Sequence, residues 1–167
     1  MPPQPKIQVQ KETSDHILNI VVWLVMALIL GHSIIAVSSL DSVVAIHFNI
    51  KGEADNFGSK YMLLLIPLFA FVLTVGLSVL NHFPYIFNFP VKITPENAER
   101  QYQLASRFIR WMQFSINLLF LLILHFVYRS AVDEKLMSGT SLFIVSASFV
   151  LPLLPLAIYL AKARKIK

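Results

Sequence analysis

The chain of 167 residues contains no cysteine, which excludes disulfides, thiolate metal ligands and a cysteine nucleophile. Charge is scarce as well. Asp, Glu, Lys and Arg make up 14% of the residues, against about a quarter in an average soluble domain. None of the four occurs within residues 17–37, 61–80, 111–128 or 141–160. There is also no HExxH spacing, no recognisable nucleophile arrangement, no repeat and no low-complexity linker. What fills the chain instead is apolar: 56% of it is hydrophobic. Each charge-free run is long enough to cross a hydrocarbon core of about 30 Å, which takes roughly 20 helical residues. The fold class expected is therefore all-α, a four-transmembrane-helix bundle forming one domain over 1–167. Its helices are expected at about 17–39, 61–81, 95–129 and 140–162. The first run follows the polar segment MPPQPKIQVQKETSDH and exceeds the roughly 7–15 apolar residues of a signal core, so it is expected to be a retained helix.

Basic residues favour the cytoplasmic side of a membrane, and their distribution is lopsided. Lys6, Lys11, Lys92, Arg100, Arg107, Arg110, Lys162, Arg164, Lys165 and Lys167 fall on one side of the expected bundle. Only Lys51, Lys60, Arg129 and Lys135 fall on the other. The expectation is a multi-pass cell-membrane protein with both termini cytoplasmic and the first connection outside. The net charge of +5 is then read as topology and attraction to anionic lipid, not as nucleic-acid binding.

Local patterns refine the helices. Thr94-Pro95-Glu96-Asn97 resembles a helix start, with Thr94 as cap and Pro95 at the first position. Glu96 and Arg100 have the spacing of an i,i+4 pair. Arg107 and Arg110 mark the entry into the bilayer, where long basic side chains snorkel to water. Pro67, Pro152 and Pro155 are expected to kink the helices that contain them. Gln113, Asn117 and His125 form a ridge on the third helix, and Asn19 and His32 lie on the first. Interhelical hydrogen bonding accounts for Gln113, Asn117 and Asn19. For the histidines two readings stay open. His32 and His125 are hydrogen-bonded interior residues with His47 as a loop cap, or His32, His47 and His125 together hold zinc. No other cofactor is implied.

The first connection, AIHFNIKGEADNFGSK, is the densest polar stretch. Gly52 and Gly58 permit positive φ, Asn49 makes a local turn, and Lys60 can pair with Glu53 or Asp55. One reading is a compact turn or short hairpin that caps the bundle. The other is a ligand-binding cap presenting His47, Asn49, Gly52, Glu53, Asp55 and Lys60 outward.

The residues IHFNIKGEADNFGSKYMLLLIP resemble the identifying segment of the bacterial membrane protein family named domain of unknown function 1648. The matching positions are His47, Phe48, Asn49, Gly52, Asp55, Gly58, Lys60 and Pro67. NFPVKITPENAERQYQLASRFIRWM is similar to that family's second connection, so the likeness spans about Leu40 to Met112. Ile46 stands where many members carry proline. The resemblance implies a distant relation to SdpI-type proteins, associated with immunity to a secreted toxin and with signalling to a repressor.

The function expected is a non-enzymatic sensor, immunity or accessory protein with an outward recognition cap and no catalytic residues. The alternatives are a small oligomeric transporter or channel subunit, or a protein with an outer metal site. Expected partners are the lipid bilayer, a secreted peptide or another membrane protein, and further copies of the chain.

Overall fold

The computed structural model describes residues 4–49, 53–132 and 146–166. Four helical stretches in it are long and apolar enough to cross a membrane: Thr13–Ser39, Lys60–Leu80, Ala98–Val132 and Ser146–Ala163. Helix α1 covers Thr13–Ser39. A hairpin follows, β1 (Val43–Phe48) and β2 (Ala54–Ser59), paired antiparallel. A 3-10 turn at Lys60–Leu64 leads into α2 (Leu65–Leu80), then come α3 (Ala98–Val132) and α4 (Leu153–Ala163). The fold is thus mostly helical, but the first connection adds a two-stranded sheet to the expected all-α bundle. The expected start of the last helix at 140 lies outside the described residues.

Helix α1 is apolar almost all round, as a helix facing hydrocarbon should be. Its buried stripe is Val22, Met26, Ile29, Ser33 and Ala36, at alternating spacings of four and three. That stripe packs most extensively on α3. Ile20, Leu24 and Leu28 on the opposite face are exposed. The main core joins Met26, Ile29, Ala36 and Leu40 to Leu63, Ala70, Leu124 and Val127, with Val44 of β1 among them.

Polar ties cross this core. Gln113 Nε2 donates to the Thr74 carbonyl (2.9 Å) and the Ser78 hydroxyl (2.8 Å). Asn117, fully buried, accepts from Thr74 Oγ1 (3.0 Å) and donates to the Val22 carbonyl (3.4 Å). One amide therefore ties α1, α2 and α3 together. Asn19 does not share this role: it is exposed and its side chain has no hydrogen bond among the described residues. Helix α4 is held by Gln101 Nε2, which donates to the Ala163 (2.9 Å) and Ile166 (2.8 Å) carbonyls. Phe108 and Tyr159 stack at 4.7 Å across the same contact.

The helix boundaries differ from expectation for identifiable reasons. The α3 helix begins at Ala98, three residues later than expected. Asn97 closes the preceding turn, accepting from the Thr94 amide (2.9 Å) and donating to the Lys92 carbonyl (3.1 Å). The Thr94 hydroxyl instead bonds Glu96, which with a backbone bond holds that exposed carboxyl below its usual range. No ion pair joins Glu96 to Arg100 among the described residues. Pro67 falls in the first turn of α2, where its missing N–H removes little. Pro152 and Pro155 do more than kink. Residues 149–152 are turns with i to i+3 bonds, and α4 restarts after Pro152.

The Asn117 node gives a measurable expectation. Asn117→Ala should destabilise the detergent-solubilised protein by about 1–2 kcal/mol, because it also strands the Thr74 hydroxyl. Asn19→Ala should change stability by less than about 0.5 kcal/mol. Equilibrium unfolding in mixed micelles measures both.

Candidate functional site

The hairpin is built by its own polar residues. At its base, Lys60 Nζ donates to the Leu40 carbonyl (2.9 Å) and the Lys60 amide to Ser42 O (3.1 Å). Lys60 thus closes the connection onto the end of α1 and does not pair with Glu53 or Asp55 as expected. At the tip, the Asn49 amide donates to Glu53 O (2.9 Å), Asn49 Nδ2 to Glu53 Oε2 (2.9 Å), and the Glu53 amide to Asn49 Oδ1 (3.1 Å). Gly52 lies between them, outside the described residues. On the sheet face, His47 Nδ1 and Asp55 Oδ1 lie 2.5 Å apart. Their side chains are 66% and 44% exposed, so this contact contributes little to stability, about 0–1 kcal/mol.

Register explains the glycine. Val43, Val44 and Ala45 pair regularly with Ser59, Gly58 and Phe57, but the pairing then skips to His47 with Asn56 and Phe48 with Ala54. Ile46 is the extra residue of a bulge, which bends a strand and re-aims its side chain. Its Cδ1 would lie 2.8 Å from a Cβ built on Gly58, with Met62 Sδ at 3.1 Å. Gly58 is therefore a strand residue whose missing side chain makes room for Ile46, not the positive-φ turn expected. Val44 and Ala45 are buried, and Phe48 packs edge-on against Phe126 of α3 at 5.0 Å. The hairpin is seated on the bundle.

The three histidines are not brought together. His32 and His125 meet, with ring centroids 5.5 Å apart, and Tyr128 lies 5.1 Å from His32. His32 Nε2 is buried with no hydrogen-bond partner among the described residues. His47 is engaged with Asp55 on the hairpin. Among the described residues no group of three or more His, Asp or Glu side chains could hold a metal ion. The structure thus brings His32 and His125 together and leaves His47 on the sheet with Asp55.

A second polar centre sits at the opposite end of the bundle. Asp15, buried in the first turn of α1, accepts from Arg107 Nε (3.2 Å) and Arg110 Nη1 (3.1 Å) of α3. Its other oxygen accepts the Glu12 amide (2.9 Å), and Glu12 pairs with Arg107. Arg110 does not snorkel; it is only 5% exposed. A cavity of about 260 Å³ adjoins it, lined by Asp15, His16, Asn19, Ser78 and Gln113 among others. The sequence held one signal for this centre: an acid just before the first apolar run and two arginines just before the third, at the same end.

The family model described as Domain of unknown function (DUF1648) matches residues 24–71. The match takes in the second half of α1, the hairpin and the start of α2, and ends before the 88–112 segment included in the resemblance. No curated protein and no solved structure matches the chain.

Gly58 lies inside the matched segment and carries a direct test of the packing there. Gly58→Val should destabilise by about 1–3 kcal/mol through overpacking against Ile46. Ile46→Ala in the same chain should remove most of that penalty. Hydrogen exchange of the β1 and β2 amides reads both effects; equal exchange in Gly58→Val and the parent would contradict the packing described.

Proposed function

We propose that the chain is a non-enzymatic, multi-pass protein of the bacterial cell membrane, with both termini cytoplasmic and the hairpin outside. In this reading the hairpin recognises an extended peptide, either secreted or part of another membrane protein. The carrying observation is the state of β2. Strand β1 packs against α3 while β2 packs mainly on β1, and among the described residues β2 has no strand partner besides β1, which leaves its outer edge open to pairing. An extended peptide can add to such an edge through main-chain bonds, with specificity from alternate side chains. Phe57 on β2 is 59% exposed, and Val43 and Tyr61 stand exposed nearby. His47, Asn49, Glu53 and Asp55 then act as the frame that holds this edge in shape. The match over 24–71 supports assignment to the domain of unknown function family, and through the resemblance an immunity-like or accessory role related to SdpI-type proteins. The excess of basic residues at the other end supports the orientation.

A second reading, a small oligomeric transporter or channel subunit, is favoured by one feature. Asp15, Arg107 and Arg110 place charge inside α1 and α3 beside a polar cavity, where transport pathways commonly put it.

The absence of cysteine makes the principal reading directly testable. Single cysteines at positions 53 and 164 should differ in intact cells, 53 labelled by an impermeant maleimide and 164 protected. A photoreactive benzophenone residue at position 57 should then give a discrete peptide or protein adduct that Gly58→Val abolishes. The reverse labelling pattern would overturn the orientation, and the same adducts from position 57 and from a lipid-facing control at 28 would overturn recognition by the strand edge.

A further inference from the structure

The N-terminal arm crosses the end of the bundle opposite the hairpin and is pinned there at two points. Tyr102 Oη donates to the Pro5 carbonyl (2.9 Å), and Gln4 Nε2 donates to Phe87 O (3.1 Å). Between this arm, the α2–α3 connection and α3 lies a cavity of about 480 Å³. Its polar lining includes Lys6, Lys11, Asn81, His82, Ser106 and Arg110, and no carboxylate among the described residues. The charges of Glu12 and Asp15 are taken up by Arg107 and by Nη1 of Arg110. Lys6 and Lys11 are therefore positive charge in excess.

Arg110 forms the inner wall and is more than nine-tenths buried. Only Nη1 is engaged, by Asp15; its other guanidinium donors have no acceptor among the described residues. Asn81 donates to Ser106 O (3.3 Å), yet its Oδ1 is buried without a partner among the described residues. His82 Nδ1 is committed to Ser78 O (2.8 Å), leaving Nε2 for the cavity. Guanidinium, two ammonium groups and an orphaned carbonyl oxygen call for a ligand with several anionic oxygens and a nearby hydroxyl. Arginine and lysine match phosphate in this way.

We propose that this cavity binds a phosphate group, supplied by an anionic phospholipid whose headgroup carries hydroxyls. The position fits that source. The cavity adjoins the end of α2, where Phe83 and Tyr85 provide the aromatic residues that sit at headgroup level. Lys6 Nζ lies 5.5 Å from the Tyr85 ring centre, which places its charge at the cavity mouth. Binding would lock the arm to the bundle at a third point.

The test uses the purified full chain in an uncharged detergent, with thermal unfolding followed by tryptophan fluorescence. Short-chain phosphatidylglycerol at about a hundred times its Kd should raise Tm by roughly 5–10 °C. Lys6→Ala/Lys11→Ala should lose at least half of that rise. Both lysines are exposed, so the variant is expected to fold. Lys162→Ala/Lys165→Ala removes equal charge elsewhere and should keep the rise. An equal rise with inorganic phosphate alone would support the phosphate site and overturn the lipid as its source. No rise with either probe, an equal rise with phosphatidylcholine, an undiminished rise in the Lys6/Lys11 variant, or a lost rise in the Lys162/Lys165 variant would overturn the proposal.

Discussion

Asp15 is a carboxylate taken out of water in the first turn of α1, and the arrangement around it follows from that. An unpaired buried carboxylate would cost several kcal/mol, so both arginines that reach it must come from α3. This fixes the rotation and depth of α3 against α1 at that end. From there the polar residues of α3 rise at helical spacing. Gln113 meets α2 and Asn117 meets both neighbours. Apolar side chains alone would not set this register, since lipid tails are as apolar as Leu or Ile and offer no hydrophobic gain from helix association. The core cluster of Ile29, Leu124 and Val127 fills the space that the polar ties define.

At the other end the constraint is backbone closure. The chain must leave α1 and enter α2 while every polar group near the bundle finds a partner. The hairpin solves this locally. Lys60 covers the Leu40 carbonyl at the end of α1, the Asn49–Glu53 bonds close the tip, and the Ile46 bulge turns a side chain into the gap over Gly58. The polar residues that look like binding groups in the sequence are thus largely occupied with one another. What remains without a strand partner among the described residues is the outer edge of β2, with apolar side chains beside it, which is why recognition is assigned to backbone and not to His47 or Asp55.

Legibility in the sequence divided along the same lines. The four apolar stretches were legible because length and the absence of charge are properties of single segments. The hairpin was one of two readings of the first connection, and its tip was partly visible in Asn49, whereas Gly58 was read as a turn and not as a strand residue. Partners distant in sequence were not legible. Nothing local to Lys60 says that a carbonyl of α1 will outcompete Glu53, and nothing local to Arg110 says that Asp15, 95 residues away, will keep it from the surface. His32 and His125 do meet, while His47 lies on β1 with Asp55 of the opposite strand as its partner. Pro152 and Pro155 were legible as disruptions, though not as the complete restart seen before α4, while Pro67 opens α2 without disrupting it.

The Asp15–Arg110 link is the claim on which the account rests most heavily, and a double-mutant cycle measures it. Asp15→Asn and Arg110→Gln should each destabilise the protein by about 3–5 kcal/mol, as for breaking a buried pair. The double variant should be far less destabilised than their sum, with a coupling of at least about 2 kcal/mol by equilibrium unfolding in mixed micelles. Additive effects, with coupling below about 0.5 kcal/mol, would contradict the link and with it the register of α1 on α3.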